Sequence, residues 1–315
     1  MSTFVVGYLL LAIVNRVTSN WAPSRLGDLS GKRIIVTGAT NGVGLGTARA
    51  LVRTGAHVIL AVRNLDLGAQ RAAEMGGDTS VVKLDLADQS SVRAFPDLIE
   101  GDVDILINNA GLVAQTRSDT VDGFEMMLGT NFLGPFALTN LLFERVRSKI
   151  INVGSDAHKG GVIAFDDPHL RTRKWSSLPA YARSKLAVML WGLELDRRLR
   201  EANSPVTSFL THPGWVASNL SNVSDTRVMS AFHSVVTRVA NVIGNDIDAG
   251  AATSLYCISE PIPPGSFVGI DGRFGFKGGP TLAGRTANAC DYEDAQKLWE
   301  FAESETGTTF PIRGT

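Results

Sequence analysis

Tyr181 and Lys185 stand four residues apart in a stretch, Ala180–Ala202, whose composition reads as helix. That spacing puts both side chains on one helix face. A phenol ordinarily loses its proton near pH 10. An ammonium at close range favours the phenolate and brings the phenol nearer neutral pH, as a general acid or base requires. The same spacing also occurs in ordinary surface pairs, so the two need partners. Ser155 is one, at the end of an apolar run, with a hydroxyl able to hydrogen-bond a substrate oxygen. Asn131 is another, a polar residue among Met126, Met127, Leu128, Phe132 and Leu133. A buried amide there needs hydrogen-bond partners. It either holds a water that relays protons to Lys185 or makes a structural bond.

The elements that must position these groups alternate. Lys32–Thr37, His57–Val62, Ser80–Leu84, Val103–Ile107, Lys149–Val153 and Val206–Thr211 are short apolar runs bounded by turn residues. Such runs read as strands buried on both faces. Between them lie helical stretches at Thr47–Thr54, Leu65–Met75, Ser90–Glu100, Gly123–Arg147 and Ala180–Ala202. Asp246–Ser259 and Asp291–Ser304 read as further helices, Ser266–Ile270 as a last strand and Phe274–Asn288 as loop. The rhythm is that of βαβ units and a parallel sheet with right-handed connections. Asp156–Pro179 is an irregular insert, of a length that is usually functional. No linker divides the chain, so the expected organisation is an extension over 1–29 followed by one domain over 30–315.

The first strand runs into Thr37-Gly38-Ala39-Thr40-Asn41-Gly42-Val43-Gly44. Gly38 can take a positive φ, while Gly42 and Gly44 remove side chains where backbone must approach a pyrophosphate. The following helix N-terminus offers unpaired N–H groups to phosphate. A dinucleotide site follows from this strand–turn–helix context rather than from the glycines alone. At the tip of the second strand an acid would bind a ribose 2′-hydroxyl, but Leu60-Ala61-Val62 runs into Arg63-Asn64. A guanidinium there suits a 2′-phosphate, so NADP(H) is expected over NAD(H). The bland alternative for Arg63 is a solvated loop arginine. Asp85, after the third strand, is either an acceptor for an adenine amino group or a turn acid.

The net charge of −1 over 315 residues gives no field for nucleic acid, and Cys257 and Cys290 have no metal or redox spacing, so no metal is expected. Reduced thiols place the chain in the cytoplasm or on a cytosol-facing membrane. Phe4–Val14, FVVGYLLLAIV, is almost wholly apolar but shorter than a spanning helix. Three readings stand: a membrane-surface or short anchoring helix, a helix packed on the body or at a subunit interface, and a true span. Trp21 and Arg16 suit a lipid headgroup layer or, equally, a polar linker.

Taken together, TGATNGVG at Thr37–Gly44, Asn108-Asn109-Ala110-Gly111, Asn131, Ser155 and Tyr181-x-x-x-Lys185 resemble the short-chain dehydrogenase/reductase family. The likeness runs from Ser30 to Ser304. Ala61-Val62-Arg63-Asn64, Ser155-Asp156-Ala157-His158, Phe165-Asp166-Asp167, Tyr181-Ala182-Arg183-Ser184-Lys185-Leu186, His212-Pro213-Gly214-Trp215-Val216 and Leu298-Trp299-Glu300 are most similar to its retinol dehydrogenase-like branch.

The resemblance implies an α/β fold, a Rossmann-type doubly wound sheet of about seven parallel strands with helices on both faces. It implies Tyr181 as acid/base, Lys185 lowering its pKa and binding the nicotinamide ribose, Ser155 polarising the substrate oxygen and Asn131 completing a proton relay. Gly38, Asn41, Val43, Arg63, Asp85, Leu86, Asn109 and Val216 would line the cofactor, beside Gly42, Gly44, Ala110 and Gly111. Pro213 and Gly214 match a segment near the nicotinamide. Ser218 stands where a threonine often reaches the cofactor's amide, and it keeps the hydroxyl. Gly154 stands where many relatives have a first serine. That branch uses NADP(H) on lipophilic alcohols and carbonyls, and several members carry an N-terminal membrane anchor. Relatives often pair as dimers through long helices, for which Gly123–Arg147 and Ala180–Ala202 are the candidates. The resulting expectation is an NADP(H)-dependent oxidoreductase acting on a lipophilic alcohol, aldehyde or ketone. The rival is a catalytically silent NADP(H)-binding sensor or scaffold.

Overall fold

The computed structural model describes residues 21–214, 247–271 and 278–312. The apolar segment Phe4–Val14, together with Trp215, Val216 and Ser218, lies outside the described residues. One sheet of eight strands organises the rest, in the order β3-β2-β1-β4-β5-β6-β7-β8. The strands are β1 (Arg33–Thr37), β2 (His57–Val62), β3 (Thr79–Lys83), β4 (Val103–Asn108), β5 (Val146–Val153), β6 (Thr207–Thr211), β7 (Phe267–Ile270) and β8 (Pro280–Leu282). The first seven pair in parallel. β8 pairs antiparallel to β7. It falls within the stretch read from sequence as loop. Three residues beginning with a proline give no alternation to read, and a sheet edge is where a proline is tolerated.

Helices cover both faces. On one lie α1 (Gly42–Val52), α2 (Leu65–Met75) and α7 (Ile247–Ser259). On the other lie α3 (Gln89–Ala94), α4 (Met126–Leu128), α5 (Gly134–Leu142), α6 (Ser177–Glu201) and α8 (Tyr292–Thr306). The central strands bury every apolar side chain, as strands sandwiched between helices must: Ile34, Ile35 and Val36 in β1 and Leu106 and Ile107 in β4 are fully buried.

Several boundaries move for identifiable reasons. The helix expected over Ser90–Glu100 is α3 followed by a 3₁₀ turn at Phe95–Leu98, because Pro96 cannot continue an α-helix. α6 begins before Pro179, since proline is accepted in a first turn. The stretch expected as one helix over Gly123–Arg147 starts at Met126 and is interrupted by a π turn at Gly129–Leu133, while β5 already begins at Val146. A π turn inside a helix commonly marks a functional position, and this one carries Asn131.

Among the described residues, Met126–Arg145 is long and apolar enough to cross a membrane, but 89% of its apolar window is buried inside the protein. It is a core element. Phe132, Phe136, Trp191 and Trp299 pack edge to face around it. α8 closes this layer with Leu298 and Trp299, so every residue from Ala182 to Asp196 and from Gly134 to Asn140 is buried within one chain. These stretches of the two long helices expected to pair copies are covered within the chain itself. Trp21 is likewise not free for lipid. It is buried against α7, donating from Nε1 to Ser259 Oγ at 2.9 Å with its ring edge-on to Tyr256.

Candidate active site

At the C-terminal ends of β1, β2, β4 and β5 a cleft of about 690 Å³ opens. Such edges are where open parallel sheets bind ligands. Its floor is made by one threonine. Thr37, fully buried at the end of β1, accepts at Oγ1 from the N–H of Asn109 at 3.0 Å and of Ala110 at 2.9 Å. Asn109 Nδ2 returns a bond to the Thr37 carbonyl at 2.8 Å. The turn after β1 and the Asn-Ala-Gly turn after β4 are thereby held together.

The glycines fit this contact. Gly38 has φ +67°, and a Cβ there would lie 3.0 Å from Ala110 Cα. At Gly44 a Cβ would lie 2.3 Å from Asn109 Nδ2 and 2.5 Å from the Gly38 carbonyl oxygen. Gly44→Ala is expected to destabilise the protein by about 1–3 kcal/mol, because the backbone oxygen has nowhere to go. The same substitution is expected to weaken dinucleotide binding, and thermal unfolding with and without NADPH measures both. Asn41 stands at the N-cap of α1 but makes no side-chain capping bond. The first-turn N–H groups of α1 are left for an anionic ligand, which is the chemistry a pyrophosphate needs.

The cleft brings together Gly38, Asn41, Gly42, Val43, Gly44, Arg63, Asp85, Leu86, Asn109, Ala110, Gly111, Tyr181, Lys185 and Pro213. Arg63 is exposed at the β2 tip, where its carbonyl accepts from Lys83 Nζ at 2.7 Å. Asp85 serves its turn, accepting from the Ala87 N–H at 3.0 Å, and also borders the cleft. Gly214 turns back, its N–H donating to His212 Nδ1 at 3.1 Å. Val216 and Ser218 lie outside the described residues. Sequence reading missed Leu112, Val113, Thr130 and Val153 along the same walls. Leu112, Val113 and Val153 carry no signal beyond being apolar near a strand end, and Thr130 none beyond being a small polar residue next to Asn131 in the π turn.

Four groups meet at one end of the cleft. Ser155 is the N-cap of a 3₁₀ turn, Asp156–Gly160, and accepts at Oγ from the Ala157 N–H at 3.1 Å. His158 Nδ1 donates to the Ser155 carbonyl at 2.7 Å and fixes the turn. Burial pushes the Tyr181 phenol above its ordinary value, and a hydrogen bond with the Ser155 side chain pulls the other way. Lys185 is buried with its Nζ donating to the Val153 carbonyl at 3.0 Å and lying 5.9 Å from the Tyr181 ring centroid. Desolvation brings the ammonium down to about 8, so it remains cationic at neutral pH. The expectation that Lys185 lowers Tyr181 thus meets an opposing effect: at this separation burial of the phenol dominates.

Asn131 is committed to structure more fully than the sequence suggested. Its Nδ2 donates to the Leu112 carbonyl and to Ser184 Oγ, both at 3.0 Å, and its Oδ1 accepts from the Leu112 N–H at 2.8 Å. Both amide protons are used. A relay water could be held only by the second lone pair of Oδ1, which faces the same point as Lys185: a Cβ on Gly111 would lie 3.3 Å from Asn131 Oδ1 and 3.4 Å from Lys185 Nζ.

Comparison with known proteins places the chain in a family. A sequence model of the short chain dehydrogenase family matches residues 32–228. Human "Retinol dehydrogenase 13" is 43% identical over 216 residues, spanning 65% of this chain and 64% of that protein, just under two thirds of its length. Mouse "Polyprenol dehydrogenase" is 34% identical over 289 residues, 85% of this chain and 82% of its own. A crystal structure of an uncharacterised protein from Mycobacterium Paratuberculosis superposes with a TM-score of 0.80 at 41% identity, covering 93% of this chain and 99% of that one.

Proposed function

The chain belongs to the short-chain dehydrogenase/reductase family, in its retinol dehydrogenase-like branch, and from that premise we propose that it is an NADP(H)-dependent oxidoreductase interconverting an alcohol and an aldehyde or ketone of lipophilic character. The observation that carries the reading is that Tyr181, hydrogen-bonded to Ser155, and Lys185 line one end of the cleft whose other walls are the glycine turn.

Residues Gly38–Gly44, Arg63, Asp85 and Asn109 would hold the dinucleotide, and its nicotinamide would supply or accept the hydride. Tyr181 gives its hydroxyl proton to the carbonyl oxygen in reduction and recovers it in oxidation. Ser155, hydrogen-bonded to Tyr181, orients the same oxygen. Lys185 sets positive charge behind the phenol, where it favours the phenolate as the proton leaves. Leu112, Val113 and Val153 exclude water at that end. The retinoid- or polyprenol-like class follows from the names of the relatives and from the apolar walls beside Tyr181. Phe4–Val14 is proposed as the membrane-surface contact that would bring such substrates within reach, with the domain over 30–315 facing the cytosol.

Cofactor choice rests on Arg63 at the β2 tip. Arg63→Ala is expected to raise KM for NADPH about 10-fold or more, the loss of a charge-assisted hydrogen bond. KM for NADH is expected to stay within about 3-fold, since that cofactor lacks the 2′-phosphate. Initial-rate measurements with both cofactors test this, and equal changes for the two would remove Arg63 from the assignment. A panel of lipophilic alcohols and carbonyls assayed with both cofactors tests the function itself.

A further inference from the structure

Behind the cleft lies a second polar cluster that the proposed reaction does not use. Glu125 is fully buried, and its partner Arg183 is 3% exposed. Arg183 Nη2 donates to Glu125 Oε2 at 3.2 Å. The same carboxylate oxygen accepts from the Leu128 N–H at 2.9 Å, which makes Glu125 the N-cap of α4. The other oxygen, Oε1, accepts from Trp175 Nε1 at 3.1 Å. The Glu125 N–H donates to His169 Nδ1 at 3.1 Å, and His169 Nε2 meets Glu305 Oε2 of α8 at 3.0 Å. Arg183 Nη1 donates to the Pro168 carbonyl.

The elements so joined are those that carry the reacting groups. Glu125 starts the helical stretch whose π turn bears Asn131. Arg183 sits midway between Tyr181 and Lys185 on α6 and, two residues from each, faces the opposite side of that helix. Trp175, His169 and Pro168 belong to the insert that follows Ser155. A buried charge pair is not by itself a gain in stability, since desolvation offsets attraction. Its geometry has a different consequence. One carboxylate fixes two helices and the insert, and thereby the separation of Asn131, Ser155, Tyr181 and Lys185.

We propose that Glu125 and Arg183 are positioning residues: their ion pair clamps α6 and the 156–179 insert against the start of α4 and so sets the alignment of Tyr181 with Ser155 and Lys185. The proposal rests on the oxidoreductase reading for its kinetic consequence only. The clamp itself is a statement about the fold.

The test uses the full chain in three forms: wild type, Glu125→Gln, and the apolar double variant Glu125→Leu with Arg183→Met. Glu125→Gln is expected to lower kcat about 10-fold or more, with the dissociation constant for NADPH within about 3-fold of wild type, because small misplacements of reacting groups cost rate without costing binding. Hydrogen exchange is expected to quicken together in peptides covering 126–134 and 167–183. The double variant removes both charges, a change that commonly restores stability. Its melting temperature is expected to recover while kcat stays low. Recovery of both melting temperature and kcat would overturn the proposal and leave the pair as packing alone. So would wild-type exchange and wild-type kcat in Glu125→Gln, which decides the matter alone if the double variant does not fold. If the wild type turns over no alcohol or carbonyl, the functional reading fails, while coupled exchange in the two segments still reads the clamp.

Discussion

Tyr181→Phe is expected to lower kcat by about 10³-fold, the usual worth of a positioned general acid or base, and to leave NADPH affinity near that of wild type. The substitution removes one oxygen from a ring that is already held by α6 and by the wall of the cleft. It leaves untouched the Thr37 hub, the free N–H groups of α1 and Arg63, which are the features proposed to hold the dinucleotide. The Ser155 side chain loses its partner, but Ser155 keeps the Ala157 N–H and remains the cap of its turn. Turnover and affinity therefore separate. Initial rates and fluorescence titration of NADPH measure the two sides of that split. Retained turnover would place the proton transfer elsewhere.

Lys185→Met is expected to have the second large effect, in opposite directions on activity and stability. Lys185 is buried, and the acceptor within its reach is the Val153 carbonyl at 3.0 Å. Its pKa falls from 10.5 to about 8 because burial disfavours the charged form. The sign follows from proton counting. Between about pH 8 and 10.5 the unfolded chain binds more protons at this site than the folded one. Stability from this group therefore rises with pH across that window, and the full cost of the buried charge applies below it. Replacing the ammonium with an apolar side chain removes the cost and leaves one carbonyl less well satisfied. The net gain at pH 7 is on the order of 1–3 kcal/mol. It is expected to shrink as pH rises toward 10, and thermal unfolding of the cofactor-free protein across pH measures it. Turnover is expected to fall about 10²-fold or more, because the positive charge behind Tyr181 is gone. A variant that is both more active and less stable would contradict the assignment of Lys185.

How much of this was legible in the sequence depended on whether the signal was local. His57–Val62 and Leu65–Met75 are read at their observed bounds, since an apolar β-branched run and an amphipathic helix ended by glycine carry their own boundaries. The glycine turn was legible because only glycine tolerates the close approach at Gly44. β8 was not, because an edge strand of three residues is made by pairing with β7 and by nothing in its own pattern. The π turn at Gly129–Leu133 was also hidden, since one extra residue in a helical turn hardly disturbs apolar periodicity.

The site divides in the same way. Tyr181, Lys185 and Ser155 announce themselves by residue type at strand ends and helix spacing. Thr37 was visible within the glycine motif, yet its hydroxyl's bonds to Asn109 and Ala110 span more than seventy residues. Glu125 and Arg183 lie 58 residues apart, and each alone looks like a surface charge on a helix. Only the fold shows that both are buried. Long-range polar contacts of this kind depend on tertiary packing, and periodicity does not encode them.

The central claim is that the cleft transfers hydride between a nicotinamide and a lipophilic carbonyl, with Tyr181 moving the proton. The most direct measurement uses NADPH carrying deuterium at the transferable position of nicotinamide C4, incubated with the enzyme and a long-chain aldehyde such as retinal. Mass spectrometry of the product alcohol is expected to show one deuterium at the carbinol carbon with wild-type protein and almost none with Tyr181→Phe. Saturable NADPH binding across a panel of lipophilic carbonyls, with no deuterium in any product, would contradict the account and leave a cofactor-binding scaffold in its place.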